Sequence, residues 1–269
     1  MVSRRPTAEH GASVAGTAAV VVLGASNVSR GLARLAAVAQ ARHAGPLDLF
    51  VAAGHGRSYG ANSRVFMRRL PSILWCGLWR ALDREGTGDM RALVTDIGND
   101  LLYGFSVEQV ASWVRESLQR LAGRGAAIAI TRLPLASIER VGAFRYRALR
   151  TLYVPGCRLS LSALTHSARQ LDAAVESLAR EYGATLIDQP GGWYGFDAIH
   201  IRRPHLDTLW HEACDAWGCD PARTTARTSL RRWAALGSRA AEVRSLADVM
   251  RYTPQPTYRS PDGLRVWMY

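Results

Sequence analysis

The sequence predicts a three-layer α/β/α sandwich on a parallel sheet of about five strands, and three observations carry that prediction. Short apolar runs and amphipathic helical stretches alternate at least four times along the chain, the pattern of a parallel sheet with helices on both faces. The unusual short motifs, at residues 24–27, 54–60, 98–100 and 197–200, each follow an apolar run. They should therefore gather at the C-terminal edge of the sheet, where such folds bind ligands. Finally, 269 residues suffice for one sizeable core.

The elements follow in order. Residues 1–16 are polar with two glycines and are expected as a flexible arm. Residues 17–219 form the α/β domain. Residues 18–23 are the first strand, and from Val28 the spacing of Leu32, Leu35, Ala36 and Ala39 predicts a helix stopped by Gly45-Pro46. Residues 47–53 are the second strand, leading into a glycine-rich turn. A tryptophan-rich stretch at 70–82 is expected to be partly helical, with Trp75 and Trp79 facing the core, and 83–88 form a loop. Residues 91–96 are the third strand. Ser106 and Gln109 make a capping box before the stripe Val110, Val114, Leu118 and Leu121. Residues 126–131 are the fourth strand and 136–162 are irregular. Leu164, Ala168, Leu171, Val175 and Leu178 mark the most regular amphipathic helix, closed by Gly183. Residues 184–187 are the fifth strand, and Pro204 opens a helix through Trp217. Residues 220–269 are expected as a helical extension, over 227–251, and a tail.

Composition excludes several classes. At 48% hydrophobic and 21% charged residues the chain is an ordinary globular protein. The net charge of +12 invites a nucleic-acid partner. Every basic residue is arginine, however, and the arginines are scattered, so no nucleic-acid partner is expected. The four cysteines form no CxxC pair, which argues against a disulfide framework or zinc ribbon. His211, Cys214 and Cys219 read as helix residues, and no metal is expected. The short apolar run at 18–23 flows into the first strand, so no signal peptide, no membrane span and a cytoplasmic location are expected.

The motifs carry a chemistry. A serine hydroxyl is a poor nucleophile until a base takes its proton, and the base is usually a histidine oriented by a carboxylate. Ser26, at the tip of the first strand, can be that nucleophile. His200, three residues after Asp197, can supply base and orienter. The oxyanion of a tetrahedral intermediate needs donors already in place: Ser26 N–H at a helix N-terminus, a backbone N–H in the turn at 54–56, and the Asn99 side chain. Taken singly, Ser26 could be a helix cap, Asn99 a turn residue and His200 structural. Asp100 reads as a local hydrogen-bonding partner, and Arg57 as an anion ligand or a surface residue. Trp193, Tyr194 and Phe196 could line a pocket or pack over the sheet edge.

The order of the motifs resembles the SGNH hydrolases, the GDSL esterase/lipase superfamily. Gly24-Ala25-Ser26-Asn27 is similar to its nucleophile turn, Gly56 to its glycine donor, Ile97-Gly98-Asn99-Asp100 to its GxND motif, and Asp197-Ala198-Ile199-His200 to its DxxH motif. Ala25, Ile97 and Ile201 depart from the usual Asp, Gly and Pro. The resemblance, over roughly residues 18–217, implies a flavodoxin-like SGNH hydrolase fold. It also implies ester hydrolysis through an acyl-enzyme at Ser26, with Asp197 and His200 completing a triad. Ser26, Gly56 and Asn99 would form the oxyanion hole, and no cofactor would be required. A small-molecule ester is the expected substrate. Acyl transfer at the same site, or an idle small-anion binding module, are the alternatives.

Overall fold

The computed structural model describes residues 17–43, 45–85, 88–222, 230–237 and 239–269. The expected arm at 1–16 lies outside the described residues. In chain order the elements begin with β1 (Ala18–Leu23), α1 (Ser26–Arg42), β2 (Leu47–Ala52), β3 (Ser63–Val65), β4 (Arg68–Leu70), α2 (Leu78–Glu85) and β5 (Met90–Val94). Next are α3 (Asn99–Leu102), α4 (Val107–Ala122), β6 (Ala127–Thr131), α5 (Leu135–Glu139), α6 (Ala143–Tyr153), α7 (Leu161–Glu181) and β7 (Thr185–Ile187). The last are α8 (Arg203–Ala216), α9 (Leu230–Gly237), β8 (Val243–Leu246), β9 (Val249–Tyr252), β10 (Tyr258–Arg259) and β11 (Leu264–Met268).

The central sheet runs β10-β11-β2-β1-β5-β6-β7, parallel throughout except for β10. Side chains alternate across a strand, and in β1 they divide between two cores. Ala19, Val21 and Leu23 join Val110, Val114, Leu118, Leu171 and Val175 on one side. Val20 and Val22 join Val28, Leu32, Leu35, Leu206, Leu209 and Trp210 on the other. Each fully buried Val or Leu contributes about 1.5–3 kcal/mol, so a strand apolar on both faces is stable only between helices. Gly31 lets α1 and α8 approach: a Cβ there would lie 2.8 Å from Trp210 Cζ2.

The chain leaves β1 toward β2 on one side and then crosses to β5 on the other. The crevice beyond the C-terminal ends of these strands is the switch point where open α/β sheets hold their ligands.

The structure differs from the sequence expectation in several elements. The central sheet has seven strands, because the tail supplies β10 and β11. β11 lies parallel to β2, with Arg265 opposite Asp48. Arg265 Nε donates to Asp48 Oδ1 at 2.5 Å, and Trp267 stacks on Phe50 at 5.4 Å. The helix expected over 227–251 is found in part, as α9. Residues 243–252 form a hairpin that extends β3 and β4 into a second, four-stranded sheet. Residues 83–85 continue α2. Trp79 is buried, with Nε1 donating to Ile73 O at 2.9 Å, whereas Trp75 is 70% exposed and does not face the core.

Candidate active site

Ser26 is the first residue of α1 and is buried at the C-terminal tip of β1. The tight exit from the strand needs Gly24, where a Cβ would meet Val28 Cγ2 at 2.6 Å and Thr95 Cγ2 at 2.9 Å. Ala25 brings no carboxylate to this turn. Asp96, at the end of β5, supplies one from across the crevice. Its Oδ2 accepts Ala25 N–H at 2.8 Å and Asn27 N–H at 3.1 Å, and its Oδ1 accepts from Asn27 Nδ2 at 2.7 Å. Asp96 holds a left-handed backbone, φ 59°, which Asp tolerates better than most residues. The amides on either side of Ser26 are thus occupied, and Ser26 itself stands at the positive end of α1.

Asn27 connects the serine to the histidine. Its Nδ2 donates to Ile199 O at 3.1 Å and its Oδ1 accepts Ile201 N–H at 3.0 Å, so one buried amide grips the backbone on both sides of His200. Arg30 Nη1 reinforces the same loop through Ile201 O at 3.2 Å. Within the loop, Asp197 Oδ2 pairs with His200 Nδ1 while Oδ1 accepts Ile199 N–H at 2.9 Å. That pairing places the proton of a neutral imidazole on Nδ1 and leaves Nε2 as the basic nitrogen.

Asn99 opens α3 directly beyond β5. Its side-chain amide has no hydrogen-bond partner among the described residues. The adjacent Asp100 is buried, and its Oδ2 accepts Tyr59 N–H at 2.9 Å, which ties α3 to the turn after β2. Burial pushes the Asp100 carboxyl up to about 6, against the opposing hydrogen bonds from Ser58 and Tyr59. Gly56 lies in that turn at φ 68°, and a Cβ there would meet Val65 Cγ2 at 2.5 Å. Ser26, Gly56 and Asn99 therefore stand beyond the ends of the neighbouring strands β1, β2 and β5. Partial burial, followed by Arg68, His200 and Arg30, holds the His55 imidazole below its usual value.

Other sequence candidates have different places. Arg57 is neither a surface residue nor an open anion ligand: it is buried, with Nη1 donating to Ala53 O at 3.2 Å and to the main-chain oxygen of Tyr269. Trp193 and Tyr194 are buried, Trp193 stacking on His205 at 6.1 Å, while Phe196 is exposed. Cys214 and Cys219 are buried free thiols. No group of three or more metal-ligating side chains occurs among the described residues. Asp96 and Asn27 were not singled out in the sequence. An acidic residue one position before Ile97-Gly98-Asn99, combined with a nucleophile turn that lacks its acid, is the signal that could have found Asp96.

Two hollows meet at the histidine loop. One is a cavity of about 950 Å³, its open mouth included, reached past Asn27, Asp96, Asn99 and Asp197. The other is an open depression lined by Arg30, His55, Phe196, Asp197, His200 and Arg202. Ser26, the Asp197–His200 pair and Asn99 thus belong to segments that Asn27 and Asp96 tie together at the ends of β1 and β5.

No protein-family model matches the chain, and no curated protein matches it. One solved structure superposes with a TM-score of 0.53 at 12% identity, over 74% of this chain and 96% of its own. Est24, described as a carbohydrate acetylesterase from Sinorhizobium meliloti, superposes with a TM-score of 0.50 at 12% identity, over 73% of this chain and 96% of Est24. The psychrotrophic esterase EstA from Pseudoalteromonas sp. gives 0.45 at 14% identity, over 74% and 97%. The likeness is one of fold: the chain shares with these structures an α/β architecture, a mostly parallel sheet flanked by helices.

Proposed function

We propose that this chain is a serine hydrolase that cleaves a carboxylic ester at Ser26. The observation that carries the reading is the grip of the Asn27 amide on Ile199 and Ile201. It sets the residue after Ser26 against the loop in which Asp197 orients His200.

Ser26 Oγ attacks the acyl carbon while His200 Nε2 takes its proton. The resulting imidazolium is stabilised by Asp197. The oxyanion is met by Ser26 N–H, Gly56 N–H and the Asn99 amide, donors fixed before the reaction starts. Collapse expels the alkoxide, which receives the proton from His200, and leaves an acyl-enzyme. Water then attacks the acyl carbon with His200 again as base, and the carboxylic acid departs as Ser26 recovers its proton. None of these steps calls for a cofactor.

The departures at Ala25 and Ile97 are the support for the alternative of an idle binding module. Asp96 supports the active reading instead, because it returns a carboxylate to the same turn and secures Ala25 and Asn27 around the serine. The test is steady-state hydrolysis of p-nitrophenyl esters. Ser26→Ala and His200→Ala are each expected to lower kcat by about four orders of magnitude or more. Turnover by Ser26→Ala at the wild-type rate would overturn the proposal.

A further inference from the structure

We infer that the cavity beyond Asn99 holds the acyl chain of the substrate, and that this chain is an unbranched alkyl chain of several carbons rather than acetyl or a sugar acid. The inference rests on the ester-hydrolase reading of Ser26 and adds the substrate class to it.

Three observations carry it. First, the wall is apolar: Leu102, Leu133, Ile138, Val141, Leu149 and Leu164 line it. Second, the polar side chains that reach the wall are engaged with the protein. Arg132 is held by Asp172 at 2.8 Å and Glu176 at 2.9 Å. Arg150 Nη1 and Tyr146 Oη both donate to Leu159 O, at 3.0 and 2.9 Å. Gln189 bonds Arg132 O and Tyr194 Oη, and Asp96, Asn27 and Asp197 are engaged in the site itself. Asn99 differs, since its amide has no partner among the described residues, and it stands where the cavity meets the site. Third, the lining runs on from Asn99 past Ile138 of α5 and Leu149 of α6 to Leu161, Leu164 and Ala168 of α7, further than an acetyl methyl reaches.

A hydroxylated acyl group would lose its water there without finding partners, whereas each methylene is favoured by leaving water. The carbonyl oxygen would meet Asn99, and the alkyl chain would run on beneath α6. The roof is secured at its edges, through Arg145 to Gly195 O at 2.8 Å and through Arg150 and Tyr146 to Leu159. The alcohol part of the ester is left to the open depression at Arg30, His55 and Arg202.

The experiment measures kcat/KM for p-nitrophenyl acetate, butyrate, hexanoate, octanoate and decanoate with wild type, Leu149→Trp and Leu161→Trp. Both positions line the cavity without being fully buried, so the added ring fills space with little disturbance to the core. A thermal melt checks that each variant is folded. Wild type should prefer octanoate over acetate by at least about ten-fold, and each tryptophan should lower the octanoate-to-acetate ratio by about ten-fold. Titration with decanoic acid, followed by tryptophan fluorescence, reads the cavity without turnover: wild type binds, and Leu149→Trp binds at least about ten-fold more weakly. A wild-type preference that falls with every added carbon, or ratios and binding unchanged in both variants, would overturn the acyl-chain inference while Ser26-dependent hydrolysis left the parent reading intact. Absence of turnover on every ester, with decanoic acid still bound in the cavity, would instead overturn the hydrolase reading alone.

Discussion

Asp96 carries three hydrogen bonds on one carboxylate, and all three go to the two residues flanking Ser26. Its role is positioning. Asp96→Gly tests it cleanly, because glycine adopts the observed positive φ without strain. We expect kcat to fall about 100-fold, from the loss of two or three buried bonds at roughly 1 kcal/mol each, with KM nearly unchanged. A variant with wild-type kcat would remove Asp96 from the account. Asn99→Ala should lower kcat by about 10²–10³ through loss of one oxyanion donor, measured on the same ester. Asp100 gives a pH prediction. Its folded pKa of about 6 lies above the usual carboxylate value, so the folded state binds a proton more tightly than the unfolded chain. Its contribution to stability is therefore fully present below the unfolded value and is lost as pH rises through about 6. Asp100→Asn keeps an acceptor for Tyr59 N–H and removes that titration. The variant should gain on wild type by roughly 2–3 kcal/mol between pH 4 and pH 7, read by denaturant unfolding. A pH-independent difference would contradict the assignment.

At the scale of elements, the strands and helices that build the site were legible because their signals are local. The run at 18–23, the stripe along α4 with its Ser106 capping box and the heptad-like spacing of α7 each declare themselves within a few turns. Ser26, Asn99, Asp197 and His200 are candidates for the same reason, as short patterns at strand ends. What stayed hidden depends on distant partners. Arg265 and Trp267 read as tail residues until Asp48 and Phe50 stand beside them. An aspartate inside an otherwise apolar strand was the available hint. The strands β3, β4, β8 and β9 are three or four residues long and rich in arginine, with no alternation to betray them. Asp96 escaped because both its acceptor oxygens serve Ala25 and Asn27 at the start of α1, some 70 residues earlier in the chain. Trp210 tests the packing of α8 on α1: Trp210→Ala should cost about 3–5 kcal/mol in unfolding free energy. A loss below 1 kcal/mol would show that this helix pair does not depend on the ring.

Across the whole molecule the arginine excess gives a net charge of +12, and some of the arginines join elements through ion pairs. Arg34 meets Asp207 at 2.7 Å, Arg132 meets Asp172 at 2.8 Å, and Arg232 meets Asp262 at 2.8 Å. The expectation of no nucleic-acid partner is open to a salt titration. Retention on DNA should therefore fall gently with salt, with a slope of log affinity on log salt no steeper than about −2, whereas six or more phosphate contacts would give about −5 or steeper. No helix among the described residues is long and apolar enough to cross a membrane. The ends of β1, β2 and β5 and the loop after the short turn at Gly191–Trp193 lie at one edge of the parallel sheet. The claim on which everything else depends is that Ser26 is the nucleophile there. The most direct measurement is covalent labelling with a fluorophosphonate, followed by peptide mapping of the adduct by mass spectrometry. The account predicts a single stoichiometric adduct on the peptide carrying Ser26, absent from Ser26→Ala; an adduct on another residue, or equal labelling of the variant, would contradict it.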